Sequence, residues 1–370
     1  MPKAASTYPR PCGPGWEASR SLAKRGTAWI LLAVSLLLLP LHGLATTESS
    51  DDDFEHFGEL TAADLVTDDA PRPREIVHPP WFKLSFLDLR DDLQEAGEAG
   101  KKGIIIYFGQ KNCPYCQALM EKDFGKEDIA RYTQKNFDVI ALDIWGNREV
   151  TDVDGKTYTE REFAKAKGAF LTPTLLFYDT EGKEALKLVG FYPPYKFRAA
   201  LAYVAEGFYR RESLHDFMQR AENRPPRFNE NGLTEEPFFL PPPHIMDRSH
   251  IPASRPLVVF FEQPQCHTCD ILHAGPLQHP DIRELLDHFD AVQLDITKDE
   301  KVITPDGQRT TARDWARKLD IFYTPTLIFF DEHGKEVLRI ESLVQLYRLR
   351  KILEYVLEKG YEIAPLQEWH

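Results

Sequence analysis

The chain has 370 residues, a formal net charge of −13, and 42% hydrophobic residues. This composition is typical of two or three globular domains and excludes a largely disordered chain. The negative charge argues against nucleic acid and anionic membrane surfaces as partners.

The first 45 residues have the pattern of a secretory signal. Basic residues precede an apolar run from Trp29 to Leu39, which Pro40 and the stretch Gly43 to Ala45 follow. This order predicts a signal peptide over residues 1–45, cut after Ala45. An uncleaved membrane anchor is the alternative, although the apolar run is short for a full span. Either reading predicts export, here to the periplasm, and removal of the signal would change the formal charge from −13 to −17.

The remainder divides by composition. Residues 46–75 are acidic and poor in periodic apolar positions, which predicts a flexible segment. Residues 213–249 contain a pair and a triplet of prolines and predict a semi-rigid linker. The two globular domains are then residues 76–212 and 250–370.

These two domains are copies of one unit. Cys113 and Cys266 are 153 residues apart, whereas Pro173 and Pro325 are 152 apart. Further matches at 152 include the Asp-Gly pairs at 154 and 306 and the Gly-Lys-Glu runs at 182 and 334. A period of this length is the size of a domain, so it predicts a tandem duplication and not a solenoid.

Each copy predicts alternating strands and helices. The predicted strands are 104–108, 139–144 and 175–178 in the first copy and 257–261, 291–296 and 327–330 in the second. The predicted helices include 84–99, one that opens with the capping box 159–162, and the closing helices 196–209 and 346–359. A hairpin is expected at each Asp-Gly pair. The fold class is therefore α/β, with a central mixed sheet flanked by helices in each copy.

A Cys-x-x-Cys motif follows the first predicted strand of each copy. At a strand-to-helix turn, the helix N-terminus stabilises the thiolate of the first cysteine and lowers its pKa. The second cysteine lies one turn further along, where it can resolve a mixed disulfide. We therefore assign Cys113 and Cys266 as nucleophiles, and Cys116 and Cys269 as resolving thiols.

Three other uses of such cysteines fit less well. A structural zinc site needs two pairs about 15–20 residues apart, and covalent haem needs a histidine after the second cysteine, where Gln117 and Asp270 stand. An inert structural disulfide is unlikely to occur twice in one register. The prediction is a redox site with no metal and no cofactor.

The motif Thr-Pro-Thr stands downstream of each dithiol, at 172–174 and 324–326. Together with Cys-x-x-Cys it resembles the thioredoxin superfamily. The resemblance implies that Pro173 and Pro325 follow cis peptide bonds and that the backbones of Thr172 and Thr324 pair with an extended substrate peptide. A narrower likeness, based on the hairpin after Arg148, is to periplasmic thioredoxins of bacterial sulfur oxidation.

Some positions depart from the family pattern. The buried aspartate of thioredoxin is replaced by Tyr107 and Phe260. Glu262 is a possible substitute in the second copy, although we expect it on the surface, together with His273. A charge on His267 would favour the thiolate of Cys266 and make that dithiol more oxidising. Tyr192 is expected either at an aromatic rim near the first dithiol or at the edge of the core.

The sequence predicts an exported thiol–disulfide oxidoreductase that reduces protein disulfides. It contains no nicotinamide or flavin fingerprint, so electrons would come from a membrane thiol-electron donor. The alternatives are a disulfide oxidase or isomerase, and a metal-binding or chaperone module that captures a soft metal such as Cu(I). The oligomeric state is not predicted.

Overall fold

The computed structural model describes residues 68–221 and 232–369. The predicted signal peptide lies outside these residues, and so does the acidic segment up to residue 67. Residues 68–75 run beside the loop that precedes the first dithiol, where the Arg74 N–H donates to the side-chain oxygen of Asn112 over 2.9 Å. None of the helices in the described ranges combines the length and apolar character that crossing a membrane requires.

The first copy contains a four-stranded mixed sheet in the order β2-β1-β5-β6 and a separate hairpin, β3-β4. Its strands are β1 Gly103–Gly109, β2 Phe137–Asp143, β3 Glu149–Thr151, β4 Thr157–Thr159, β5 Thr174–Asp179 and β6 Glu184–Val189. Strand β1 pairs parallel with β2 and antiparallel with β5. Every residue of β1 is buried, as its continuous apolar run predicts for a central strand covered on both faces.

Helices cover both faces of this sheet. They are α1 Leu89–Glu98, α2 Pro114–Ala118, α3 Glu127–Asn136, α4 Glu160–Ala166, α5 Pro194–Ala205 and α6 Leu214–Ala221. A π-helical turn, Leu119–Asp123, extends α2. The predicted capping box is present at the start of α4, where the side chains of Thr159 and Glu162 each accept from the other's backbone N–H.

Helix α1 begins five residues later than predicted. The Asp88 carboxylate caps it by accepting from the backbone N–H groups of Arg90 and Asp91, and Leu87 has a φ of 68° that no helix allows. Leu84 and Phe86, which the prediction placed inside the helix, are exposed.

The second copy repeats the sheet in the order β9-β8-β12-β13, beside a small sheet, β11-β10-β7. Its strands are β7 His244–Ile245, β8 Leu257–Glu262, β9 Asp290–Asp295, β10 Lys301–Ile303, β11 Arg309–Thr311, β12 Thr326–Phe330 and β13 Glu336–Ile340. Its helices are α7 His267–Ala274, α8 Pro280–Leu286, α9 Ala312–Lys318 and α10 Leu346–Leu357. The prediction of an α/β fold with a mixed sheet in each copy is confirmed.

The predicted linker is partly built into the two copies. Helix α6 packs against the first copy, where Phe217 contacts the rings of Tyr203 and Phe208. Strand β7 pairs parallel with β10 of the second copy. Between these elements, residues 222–231 lie outside the described ranges, so the domain boundaries stay predictions.

The two copies contact each other through matching loops. A Cβ added at Gly190 would lie 1.9 Å from Oγ of Ser342, and the Leu343 N–H donates to the Phe191 carbonyl over 3.1 Å. Residues 190 and 191 are the 152-residue equivalents of 342 and 343. Equivalent residues that touch each other are the mark of a two-fold arrangement, here a pseudo-two-fold axis within one chain. The loops that follow β6 and β13 lie on this axis.

Candidate functional site

Each predicted nucleophile lies at a helix N-terminus. Cys113 caps α2 and Cys266 caps α7, and the Sγ of each accepts from the backbone N–H three residues later, over 3.0 and 3.1 Å respectively. Each pair is joined as a disulfide, Cys113 to Cys116 and Cys266 to Cys269. The N–H groups that hold sulfur here would also stabilise a thiolate in the reduced protein.

The structure places the two Thr-Pro-Thr loops against these dithiols. The bonds Thr172–Pro173 and Thr324–Pro325 are cis. The Sγ of Cys113 lies 3.3 Å from Oγ1 of Thr172, and that of Cys266 lies 3.3 Å from Oγ1 of Thr324. All eight predicted site residues therefore form two clusters, one in each copy.

Two residues that the sequence analysis did not assign orient Thr172. The Gln110 amide donates to Oγ1 of Thr172 over 3.0 Å and accepts from the Trp145 indole over 2.7 Å. A signal for Gln110 existed, because Gln263 stands at the 153-residue equivalent position. Nothing in the local sequence singles out Trp145.

The second site differs in what bonds the carbonyl of the threonine before its cis-proline. The Thr268 hydroxyl, inside the Cys-His-Thr-Cys motif, donates to the Thr324 carbonyl over 2.6 Å and lies 3.4 Å from Sγ of Cys266. The second site therefore satisfies this acceptor with its own side chain. In the first copy Tyr115 stands at the equivalent place and makes no such bond among the described contacts.

All four cysteines of the two motifs are buried. The exposed fractions are 2% for Cys113, 0% for Cys116, 7% for Cys266 and 5% for Cys269. Disulfide exchange needs access to the first cysteine of a pair, so Cys113 and Cys266 have to become more exposed before they react.

Tyr115 links the first dithiol to the rest of the chain. Its hydroxyl donates to the Asp69 carboxylate over 2.9 Å and accepts from the Gln345 N–H over 2.9 Å. Asp69 also accepts from the N–H groups of Tyr347 and Arg348, so it caps the N-terminus of α10 from a distant segment. Burial raises the pKa of the Tyr115 phenol, which keeps it protonated as this donor.

Tyr192 lies at the contact between the copies. Its ring stacks on Phe322 with centroids 5.9 Å apart and meets Tyr323 edge-on at 5.3 Å. Phe322 and Tyr323 directly precede the Thr-Pro-Thr loop of the second copy. Tyr192 is buried, and the residues it covers belong to the second site and not to the first.

A buried ionic cluster lies beside the second dithiol, and it corrects two predictions. His273 and Glu262 were both expected on the surface, but they are only 3% and 1% exposed. His273 Nε2 lies 3.1 Å from the Glu262 carboxylate, and Nδ1 lies 3.2 Å from Glu236. Burial alone would lower the pKa of His273, but the two carboxylates outweigh it and raise the pKa.

This cluster predicts a pH-dependent stability. Because the pKa of His273 is raised on folding, its protonated form adds stability below the ordinary value of 6.5, and this is lost as the pH rises through the raised value. Glu262→Gln removes the charge that holds the imidazolium. We expect it to lower the unfolding free energy by about 2 kcal/mol at pH 6 and by clearly less at pH 9.

Urea unfolding at the two pH values measures this effect. The matched control is Glu284→Gln, because Glu284 is exposed on α8 and should change stability little at either pH. An equal loss at pH 6 and pH 9 for Glu262→Gln would mean that Glu262 acts through packing and neutral hydrogen bonds alone.

A family model described as a thioredoxin-like domain matches residues 89–205 and 248–357, which together make up more than half of the chain. No curated protein matches significantly.

Among solved structures, similar chains include a thioredoxin-fold protein from Helicobacter pylori, with 18% identity and a TM-score of 0.29, over 33% of this chain and 83% of that one. A thioredoxin from Thermus thermophilus has 24% identity and a TM-score of 0.25, over 31% of this chain and 81% of that one. The reduced C-terminal domain of DsbD from Neisseria meningitidis has 16% identity and a TM-score of 0.23, over 29% of this chain and 84% of that one. The family model matches the chain twice, and each matched region contains a Cys-x-x-Cys dithiol. The chain therefore belongs to the thioredoxin-like family and is a thiol–disulfide oxidoreductase.

Proposed function

We propose that this protein is an exported, periplasmic reductase of protein disulfides, with one dithiol in each copy. The observation that carries the proposal is the position of Cys113, which caps a helix and lies 3.3 Å from Thr172 in the cis-proline loop. The second copy repeats this geometry at Cys266 and Thr324. The signal pattern in residues 1–45 supports export.

The chemistry is a pair of thiol–disulfide exchanges. In the reduced protein the Cys113 thiolate attacks one sulfur of a substrate disulfide and forms a mixed disulfide, while the other substrate sulfur leaves as a thiolate. Cys116 then attacks Cys113 in the mixed disulfide and releases the second substrate thiolate. Two electrons pass to the substrate, whose thiolates take up two protons, and the protein is left with the Cys113–Cys116 disulfide. Cys266 and Cys269 would do the same.

Each turnover therefore requires a reductant. The chain has no nicotinamide or flavin fingerprint, so the electrons would come from a dithiol of a membrane thiol-electron donor, by the same exchange in reverse. The reducing direction is supported by the likeness of the hairpin after Arg148 to periplasmic thioredoxins of sulfur oxidation.

The equilibrium potential of each dithiol tests the direction. Two variants isolate the pairs, Cys266→Ser with Cys269→Ser, and Cys113→Ser with Cys116→Ser, each equilibrated in dithiothreitol or glutathione buffers. We expect potentials of about −250 mV or lower for both pairs, the range of thioredoxin-type reductants.

The same measurement addresses the oxidase and isomerase alternative. A value of about −150 mV or higher for Cys266–Cys269 would make the second copy an oxidant, and the proposal of two reductase sites would be wrong.

A further inference from the structure

Arg348, at the start of α10, reaches from the second copy into the first dithiol site. Its guanidinium carbon lies 3.5 Å from the centroid of the Tyr115 ring, inside the Cys-Pro-Tyr-Cys motif. Its Nη2 donates to the Thr172 carbonyl over 2.7 Å. Stacking on an aromatic face combined with donation to a carbonyl is the recognition geometry that a planar guanidinium provides and an ammonium does not.

The contact places Arg348 where a substrate would bind. In a thioredoxin-like site the backbone of the residue before the cis-proline pairs with an extended substrate peptide. Arg348 donates a hydrogen bond to the carbonyl of that residue, Thr172. Beside it the Leu343 N–H donates to the Phe191 carbonyl, so the segment Ser342–Arg348 makes both backbone and side-chain contacts with the first site. Cys113, which is 2% exposed, lies in the same site, 3.3 Å from Oγ1 of Thr172.

The equivalent residue of the first copy makes a different contact. Lys196 is the 152-residue equivalent of Arg348, and its Nζ lies 4.6 Å from the Tyr323 ring centroid. The Thr324 carbonyl is already held by Thr268 in its own copy. The carbonyl before the cis-proline thus bonds a cation of the other copy in the first site and a hydroxyl of its own copy in the second.

Several polar atoms of the segment Ser342–Arg348 lack hydrogen bonds, as expected of an occupant that a ligand displaces. Ser342 Oγ, Gln345 Nε2 and Arg348 Nη1 are buried and have no hydrogen-bond partner within the described part of the chain. Buried polar atoms without partners favour the open state, in which water solvates them. Burial also lowers the pKa of Arg348, although Tyr115 and Asp69 oppose this.

We propose that the first dithiol site is a binding site for an arginine-bearing peptide segment, and that Ser342–Arg348 is its resident, displaceable occupant. The inference rests on the proposed function, since it assumes that the site takes a peptide. Partners that carry arginine next to their disulfide would compete for Tyr115 and the Thr172 carbonyl and open the site. The second site would not share this preference.

Alkylation of Cys113 by iodoacetamide tests the proposal without any disulfide substrate. The full chain with Cys266→Ser and Cys269→Ser is reduced, and the rate is followed by mass spectrometry. Arg348→Gln should raise the rate roughly tenfold, whereas Arg348→Lys should give an intermediate rise because it keeps the charge and loses the planar fork. The matched control is Arg350→Gln, which lies on the same helix, is bound to Asp281 and Glu354, and should leave the rate unchanged.

A second arm identifies the ligand. The peptide acetyl-Gly-Arg-Gly-amide should slow alkylation of the Arg348→Gln protein in a saturable way, and acetyl-Gly-Gln-Gly-amide should not. Equal alkylation rates for wild type and both Arg348 variants would contradict the proposal that Ser342–Arg348 occupies the site. Faster alkylation without selective protection by the arginine peptide would overturn the arginine preference. Neither result depends on the reductase direction, which the potentials decide separately. If Arg348→Gln fails to fold, the alkylation rate of Arg348→Lys is compared with wild type instead.

Discussion

Serine at both Cys113 and Cys266 is expected to reduce turnover of a protein disulfide by at least roughly 100-fold, because these thiolates form the covalent intermediate and serine cannot replace them. Each single variant should retain the activity of the other copy. Insulin reduction driven by dithiothreitol measures the loss against the uncatalysed rate.

The resolving cysteines give the matched experiment. Cys116→Ser and Cys269→Ser leave each nucleophile in place and remove the thiol that releases the substrate, so mixed disulfides should accumulate and appear on non-reducing gels. The variant with serine at both Cys113 and Cys266 should form no mixed disulfide. Full loss of turnover with Cys113→Ser alone would contradict independent copies and would mean that the two dithiols act in series.

The two dithiols and their loops were predictable because local chemistry determines them. A continuous apolar run such as that ending at Phe108 predicts a buried strand. The Cys-Pro pair that follows at 113–114 fits the first turn of a helix. The repeat then gives the buried strand, the dithiol and the Thr-Pro-Thr loop a second occurrence. The capping box at Thr159 was predicted for the same reason, since its two hydrogen bonds span only three residues.

The closure of the first site was not predictable, because it depends on residues far apart in the chain. Asp69 caps a helix that begins 277 positions later, and Arg348 donates to a carbonyl 176 positions earlier. Asp69 stands in a run of acidic residues whose composition predicts flexibility, and composition says nothing about one buried carboxylate. A lone arginine on an amphipathic helix is ordinarily a solvated side chain.

The buried cluster of His273 is an intermediate case. Cys269 and His273 are four residues apart on α7, so they share the buried face of that helix. That spacing was a usable signal that His273 points inward. The partner carboxylates come from β8 and from residue 236, and only the folded chain brings them together.

The two sites are therefore closed by different means, and this difference follows from the motif residues. The second site has a threonine at position 268, which is short enough to bond the carbonyl of the loop beside it. The first site has Tyr115 at the corresponding place, and its ring offers a face for a cation. We infer that the copies retain one exchange chemistry and differ in what must move before a substrate enters.

Gly190→Ala is expected to open the first site from the opposite side of the interface. A Cβ at position 190 would lie 1.9 Å from Oγ and 2.6 Å from Cβ of Ser342, so the closed contact cannot form without a shift. Overpacking of this kind costs about 2 kcal/mol, which corresponds to a roughly 30-fold rise in the alkylation rate of Cys113. The measurement again uses the reduced chain with the second pair changed to serine.

Gly207→Ala is the matched control, because Gly207 also has a positive φ, 74° against 98° at Gly190, but a Cβ there would meet nothing within 4 Å. It should share the backbone strain and leave alkylation unchanged. Adding Ser342→Gly to Gly190→Ala removes the clashing side chain and should restore a slow rate. If the double variant stays fast, the alanine acts through the Pro173 carbonyl, to which the Gly190 N–H donates over 2.7 Å, and not through the contact between the copies.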